Sequence, residues 1–187
     1  MLFTSIARSV LMLTVLGPVT AGLAVGETAT VKQLEMEKKG IKLIGQVEDL
    51  ARDISYHADL LNSFTPWISK ETHFHHLEHI KSLVNQGLRP AFKRLTEIQP
   101  QLSAWHQDTI DQMLNSANAL AADTNSAILN RKEARAAPPV LNAEYSELIS
   151  TIYEHSKALV TTSDAAGDYA AANRQAVEAG LKVSAHR

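Results

Sequence analysis

The amino-acid sequence predicts an all-α protein that folds as an up-down-up-down four-helix bundle after an N-terminal signal peptide. Apolar residues recur at three- and four-residue spacing along most of the chain, and the alternation typical of strands is nearly absent. The prolines lie mostly where helices could begin or end. With 187 residues the chain can bury one core, so we expect a single domain over residues 29–184.

The beginning of the chain differs in composition from the rest. Arg8 precedes an almost wholly apolar run over residues 10–25, which Gly17-Pro18 interrupts. This pattern is typical of a secretory signal peptide. The run of about 16 apolar residues is shorter than the roughly 20 that a membrane span needs. We therefore predict a signal peptide at residues 1–25, no stable membrane span after its cleavage, and an exported protein that is periplasmic or secreted.

The apolar stripes predict four helices, at about residues 30–64, 70–98, 100–136 and 140–183. Thr30 and Gln33 match the capping-box pattern at the start of the first helix. Gly87 and Pro90 should kink or split the second, because proline has no amide proton and clashes with the preceding turn. Helices joined by short loops bury such stripes most economically as antiparallel neighbours in a bundle.

The third predicted helix has sequence signals for its start and for its end. Pro100 should lie in its first turn, where proline is favoured. Arg131 and Lys132 should lie near its C-terminus, where cations interact favourably with the helix dipole, and Pro138-Pro139 should end it.

Composition excludes several classes of protein. The sequence has no cysteine, so a disulfide framework, a thiolate metal site and covalent c-type haem are ruled out. Acidic residues outnumber basic ones, 20 to 18, and the chain carries no basic footprint for nucleic acid. The sequence also contains no His-Glu-x-x-His motif and no glycine-bounded nucleophile.

Four of the eight histidines lie within residues 71–79. At 100° per residue, His73 faces the core stripe of its helix and His76 lies at the edge of that stripe. His75 and His79 fall on the solvent side as an i, i+4 pair, a spacing that can place two imidazoles on one metal ion. This exposed pair is one candidate metal site.

Histidines of other helices suggest a second site in the interior. His57 and His155 flank the stripes of the first and fourth helices, and axial counting at about 1.5 Å per residue brings them level with His73 and His76. By the same count, His106 falls near the opposite end of the bundle and cannot join this layer. The same count puts Thr124 in the layer, with Asp123 at its flank. The candidate interior metal ligands are His57, His73, His76 and His155. Each alone is more often a packed core residue than a ligand.

The ligand chemistry of such a layer favours transition metals. Imidazole suits zinc, copper, nickel or iron, whereas calcium needs oxygen ligands. A b-type haem is a further option, since the architecture resembles that of the exported four-helix cytochromes. The resemblance supplies no haem ligand. A histidine would be needed near residue 176 in the fourth helix, where residues 173–177 contain none and His186 lies beyond the predicted helix end.

These observations lead to two main functional expectations, and they leave an enzyme of an unfamiliar type as a third alternative. The first is an exported bundle that is not an enzyme and binds a partner, either a protein or a small ligand, outside the cytoplasm. The second is a bundle that binds a transition metal or noncovalent haem through the interior histidine layer. The sequence leaves the identity of the partner and homodimerisation open.

Overall fold

The computed structural model describes residues 23–63, 70–133 and 142–185, and within these ranges the protein is all-α with no strand. The helices are α1 (Leu23–Ser63), α2 (Lys70–Ser82), α3 (Arg89–Ile98), α4 (Ala104–Glu133) and α5 (Ala143–Ala185). A π-helical segment, Leu83–Leu88, joins α2 and α3 end to end. We call this continuous helical unit the second rod, so the described residues form four rods, namely α1, the second rod, α4 and α5. The predicted fold class, four helices without sheet, is confirmed at this level.

A single hydrophobic core holds the four rods together. α1 lies against α5 and against both halves of the second rod, while α4 lies against α5 and α2. The core positions follow the predicted stripes, and Val47, Ile54, Leu77, Leu120 and Ile152 are each completely buried. Burying one such side chain contributes roughly 1.5–3 kcal/mol, so the stripes supply the main driving force for assembly. None of the described helices is both long and apolar enough to cross a membrane.

The second rod changes helix type where Gly87 and Pro90 occur. The amide of Arg89 donates to the carbonyl of Val84, a π-type bond that spans five residues. Pro90 has no amide proton, and the π-helical turns accommodate its ring without breaking the rod. Gly87 allows α1 to approach closely, because a Cβ there would lie 2.6 Å from Cδ2 of Leu50. The change of helix type lies where a kink or split was predicted, but α2 and α3 stay joined end to end through the π-helical segment.

The start of the third predicted helix needs correction. Pro100 lies in a short 3-10 segment, Gln99–Gln101, and α4 begins only at Ala104. The chain is extended at Leu102, with φ −92° and ψ 165°, and the Leu102 side chain is buried in the core. Prediction failed here because burial of Leu102 requires a turn that proline preferences alone do not indicate.

Other boundaries differ by smaller amounts. α1 begins at Leu23 rather than near residue 30, so its first turn falls within the predicted signal peptide. α4 is described as far as Glu133, and α5 begins at Ala143, a few residues after its predicted start. Residues 134–141 lie outside the described residues. The rest of the predicted signal peptide lies outside the described residues, as do Trp67, Pro138-Pro139 and His186.

Side-chain caps fix the start of α5. The Asn142 Oδ1 atom accepts a hydrogen bond of 3.1 Å from the backbone amide of Tyr145, and its carbonyl accepts one from the amide of Ser146. The Asn142 side-chain amide also donates to Oδ1 of Asn130 on α4, at 2.8 Å. Asn142 therefore caps α5 and ties its start to the end of α4.

Candidate functional site

The facing surfaces of α1 and α2 bring four imidazoles together. Nδ1 of His57 on α1 lies 2.9 Å from Nδ1 of His76 on α2. The ring centroid of His79 lies 4.3 Å from that of His57, and the ring of His75 lies 5.9 Å from that of His76. We call His57, His75, His76 and His79 the histidine cluster.

Local helix geometry explains the arrangement. His76 and His79 are separated by three residues, so α2 presents them on adjoining parts of one face. His57 and His76 are half-buried, whereas His75 and His79 are exposed. The predicted exposure of His75 and His79 is confirmed. The structure adds that His79 contacts His57 of the neighbouring helix, which the predicted pairing with His75 did not include.

His57 and His76 favour the neutral form of imidazole. Burial lowers the pKa of His57, and the charges that His79 and His76 would carry when protonated lower it further, against an opposing effect from Asp53. Burial likewise lowers the pKa of His76, with smaller contributions from His75 and His79. Neutral imidazole is the form that binds metals, so His57 and His76 are in a ligand-competent state near neutral pH.

His73 points into the core, as predicted, but bonds to a phenol. It is fully buried, and its Nδ1 lies 2.9 Å from the hydroxyl of Tyr145 on α5. Burial lowers the pKa of His73 to about 4, with further contributions from the charge of Arg131 and from the charge that His76 would carry when protonated. The Nε2 atom is buried and has no hydrogen-bond partner among the described residues. His73 is therefore a neutral core residue at physiological pH.

Arg131 is a residue of this region whose role the sequence analysis missed. It was expected to be a cation at a helix C-terminus, yet its side chain is fully buried, with the guanidinium carbon 4.8 Å from the Tyr145 ring centroid. This contact is a cation–π interaction in a desolvated setting. The spacing Thr124, Ile128, Arg131 continues the buried stripe of α4 at four and three residues, so the pattern contained a signal for its burial.

The remaining members of the predicted layer have contacts of their own. His155 Nε2 lies 3.5 Å from Oδ2 of Asp123, and both side chains are partly exposed. Thr124 is buried as predicted, and its hydroxyl donates to the carbonyl of Leu120 at 2.7 Å. Of the four candidate interior ligands, the structure shows a direct nitrogen contact between His57 and His76. The complete layer stays a prediction.

The arrangement of the described side chains limits the metal chemistry. Across the described ranges, no group of three or more histidine or carboxylate side chains is arranged to hold one metal ion. A metal site here would therefore begin from two protein nitrogens, those of His57 and His76, and gain further ligands by movement of His79 or from water.

His106 belongs to a separate set of contacts. It is buried, as its central position on the α4 stripe predicted, and Nδ1 lies 2.7 Å from the hydroxyl of Ser103. Burial lowers its pKa, against an opposing effect of Glu37. The Trp105 ring next to it stacks on Tyr169 with centroids 4.1 Å apart. These contacts fasten the start of α4 to α5.

A groove runs between the second rod and α4, with a volume of about 240 Å³. Apolar side chains form its floor, whereas two cations and two neutral polar side chains form its rim. The floor residues are Val84, Leu88, Phe92, Leu114, Ala117 and Ala121, and the rim residues are Arg89, Lys93, Thr96 and Asn118. None of the residues that line it is acidic. The groove therefore suits an amphipathic ligand with a negative group.

Comparison of the chain with protein family models, curated proteins and solved structures finds no match.

Proposed function

We propose that this protein is an exported, non-enzymatic four-helix bundle that binds a partner outside the cytoplasm once residues 1–25 have been removed as a signal peptide. The up-down-up-down connection of its helices is part of this proposal. It is supported by contacts near consecutive helix ends: His57 near the end of α1 meets His76 of α2, and Arg131 near the end of α4 meets Tyr145 at the start of α5.

The groove beside α4 is the observation that carries the binding proposal. Four of its six floor residues belong to the buried core, and the remaining two are only partly buried at the surface of that core. Leu114 and Ala121 are half-buried there, and a partner's apolar side chains would complete their burial. Arg89 and Lys93 on the rim are exposed and would attract an acidic segment of that partner.

Site-specific photocrosslinking in the native host tests this proposal. A photoreactive residue at Asn118 or Thr96, both exposed on the rim, should give a discrete adduct. The same residue at Ser150, exposed on α5, is the matched control. Arg89→Glu should weaken the groove adduct, whereas Lys42→Glu on α1 should not. Equal labelling from rim and control positions, or no adduct from the rim, would contradict the proposal.

Export is tested separately by the mature N-terminus. Mass spectrometry of the protein from the native host should find a chain that begins near residue 26, in the periplasmic or extracellular fraction. A protein that retains Met1 in the cytoplasmic fraction would overturn this part of the proposal.

Metal or noncovalent haem binding is the second candidate function. The observation that favours it is the histidine cluster, in which imidazoles from two helices meet with two Nδ1 atoms 2.9 Å apart. Zinc, copper, nickel, iron and b-type haem are the groups that histidine nitrogens suit. The sequence-based version adds His73 and His155 as ligands.

Elemental analysis and a visible absorption spectrum of the purified mature protein test this second candidate. Bound metal or a haem band should disappear in the double variant His57→Ala/His76→Ala. Loss in His155→Ala as well would support the interior layer, whereas retention would restrict the site to the cluster. A protein that carries neither metal nor haem, and takes up neither when supplied, would refute metal and haem binding.

A further inference from the structure

We infer that the groove between the second rod and α4 binds an unbranched, medium-chain carboxylate, whose hydrocarbon chain lies on the apolar floor and whose charged end lies beside Arg89 and Lys93. This inference rests on the proposed binding at the groove and deepens it, because it names the chemical class of the bound partner as a small anionic amphiphile. It does not depend on the histidine cluster or on metal binding.

The dimensions of the groove favour a single hydrocarbon chain. Leu114 and Ala121 lie seven positions apart on α4, so both walls are present over about 10 Å. A volume of about 240 Å³ over at least that length gives a mean cross-section of at most about 24 Å². An α-helix with its side chains is about 10–12 Å across, so a whole helix does not enter the groove. Since water occupies about 30 Å³ and a methylene group is similar in size, a chain of about eight to ten carbons fills the volume.

The shape of the groove comes from short side chains on one wall and from a change of helix type on the other. α4 presents Ala117 and Ala121 to the groove, four residues apart on one face, so this wall is low. On the opposite wall, Val84 and Leu88 belong to the π-helical segment. π-Helical turns are rare and occur frequently at functional sites. The π-helical segment is therefore a second feature that marks this groove as a binding site.

The charges on the rim supply the preference for an anion. Arg89 and Lys93 lie four residues apart on α3, so their side chains are neighbours on one edge of the groove. Both are exposed, and within the described ranges neither forms an ion pair with an acidic side chain. The Thr96 hydroxyl donates to the carbonyls of Phe92 and Lys93 in its own helix, which leaves the two cations to bind the anion. A guanidinium group can bind a carboxylate through two parallel hydrogen bonds.

Calorimetric titration of the mature protein with sodium hexanoate, octanoate and decanoate, each below its micelle-forming concentration, tests this inference. We expect one molecule bound per chain and an affinity that rises about two- to fourfold for each added methylene group, because each buried group adds apolar contact. Dodecanoate should not continue this rise, because the groove is then full. Decyltrimethylammonium has a chain of the same length as decanoate but a positive charge, and it should bind at least about tenfold more weakly.

Variants with matched controls locate the ligand in the groove. Ala121→Phe should fill the groove and abolish decanoate binding, whereas Ala119→Phe, at a partly buried alanine of α4 outside the groove, should not. Arg89→Gln should weaken decanoate binding by about three- to tenfold, because it removes a charge-assisted contact. Arg94→Gln, at an exposed arginine of α3 outside the groove, should leave it unchanged. The chain-length series uses the unaltered protein, so it does not depend on how well the variants fold.

The outcomes separate failure of this inference from failure of the proposed function. Equal affinity for decanoate and decyltrimethylammonium, or full decanoate binding by Ala121→Phe, would show that the inference is wrong. If decanoate does not bind and the photoreactive residue at Asn118 gives an adduct with the mass of a protein, the carboxylate is wrong while partner binding stands. If decanoate does not bind and the rim gives no adduct, both are wrong.

Discussion

Acidification should destabilise this protein through His73, because the folded state holds that imidazole neutral. The ring is fully buried and bonded to Tyr145. Burial, followed by the charge of Arg131, lowers its pKa from the ordinary value of 6.5 to about 4. An unfolded chain exposes the same ring to water and restores its ordinary pKa.

The sign and size of the effect follow from these two pKa values. Above pH 6.5 His73 is neutral in both states, so its contribution to stability is complete. As the pH falls below 6.5, His73 binds a proton in the unfolded state but not in the folded state. The contribution of His73 to stability is therefore lost progressively down to about pH 4. One pKa unit corresponds to 1.36 kcal/mol, so about 2 kcal/mol is lost at pH 5 and about 3 kcal/mol in the acid limit.

Urea denaturation followed by circular dichroism, at about pH 7.5 and about pH 5, measures this loss. His73→Gln cannot titrate, while its amide can still bond to the Tyr145 hydroxyl. The variant should therefore show a smaller drop in unfolding free energy than the unaltered protein, by about 2 kcal/mol. His155→Gln controls for removal of a less buried histidine. Parallel curves for the unaltered protein and His73→Gln would refute the assignment of a neutral, buried His73.

Three further stability predictions follow from backbone positions. Gly87→Ala should lower the unfolding free energy by at most about 1 kcal/mol, because its Cβ would lie 2.6 Å from Cδ2 of Leu50 and that side chain must shift to make room. Gly45→Ala, the control in α1 with nothing within 4 Å of its Cβ, should instead stabilise by about 0.5–1 kcal/mol. Equal effects of the two in urea denaturation would contradict this. Asn142→Ala removes the cap on the Tyr145 amide and should cost about 1 kcal/mol, and an unchanged melting temperature would argue against that cap.

Burial could be predicted for residues whose position depends on one helix alone. His73, His106 and Thr124 are buried and His75 and His79 are exposed, as the angular counting indicated. These predictions succeed because a rotation of 100° per residue accumulates little error within a single helix, and burial follows the apolar stripe. The wrong helix start predicted at Pro100 shows where this reasoning stops, because the turn there depends on where the Leu102 side chain packs in the core.

Partners between helices were harder to predict than burial. The hydrogen bond between His57 and His76 depends on the axial offset between α1 and α2. The bond between His73 and Tyr145 depends on the start of α5, where capping by Asn142 sets the register. Axial counting at about 1.5 Å per residue adds the uncertainty of every loop and kink it crosses.

The amino-acid sequence by itself determined that this chain is helical and which face of each helix turns inward, because both depend on periodicities within one segment. Only the tertiary structure decided that Arg131 lies buried over Tyr145 and that His57 meets His76 and His79 at the surface. These contacts join residues far apart in the chain, and their distances depend on helix crossing, register and side-chain rotation together.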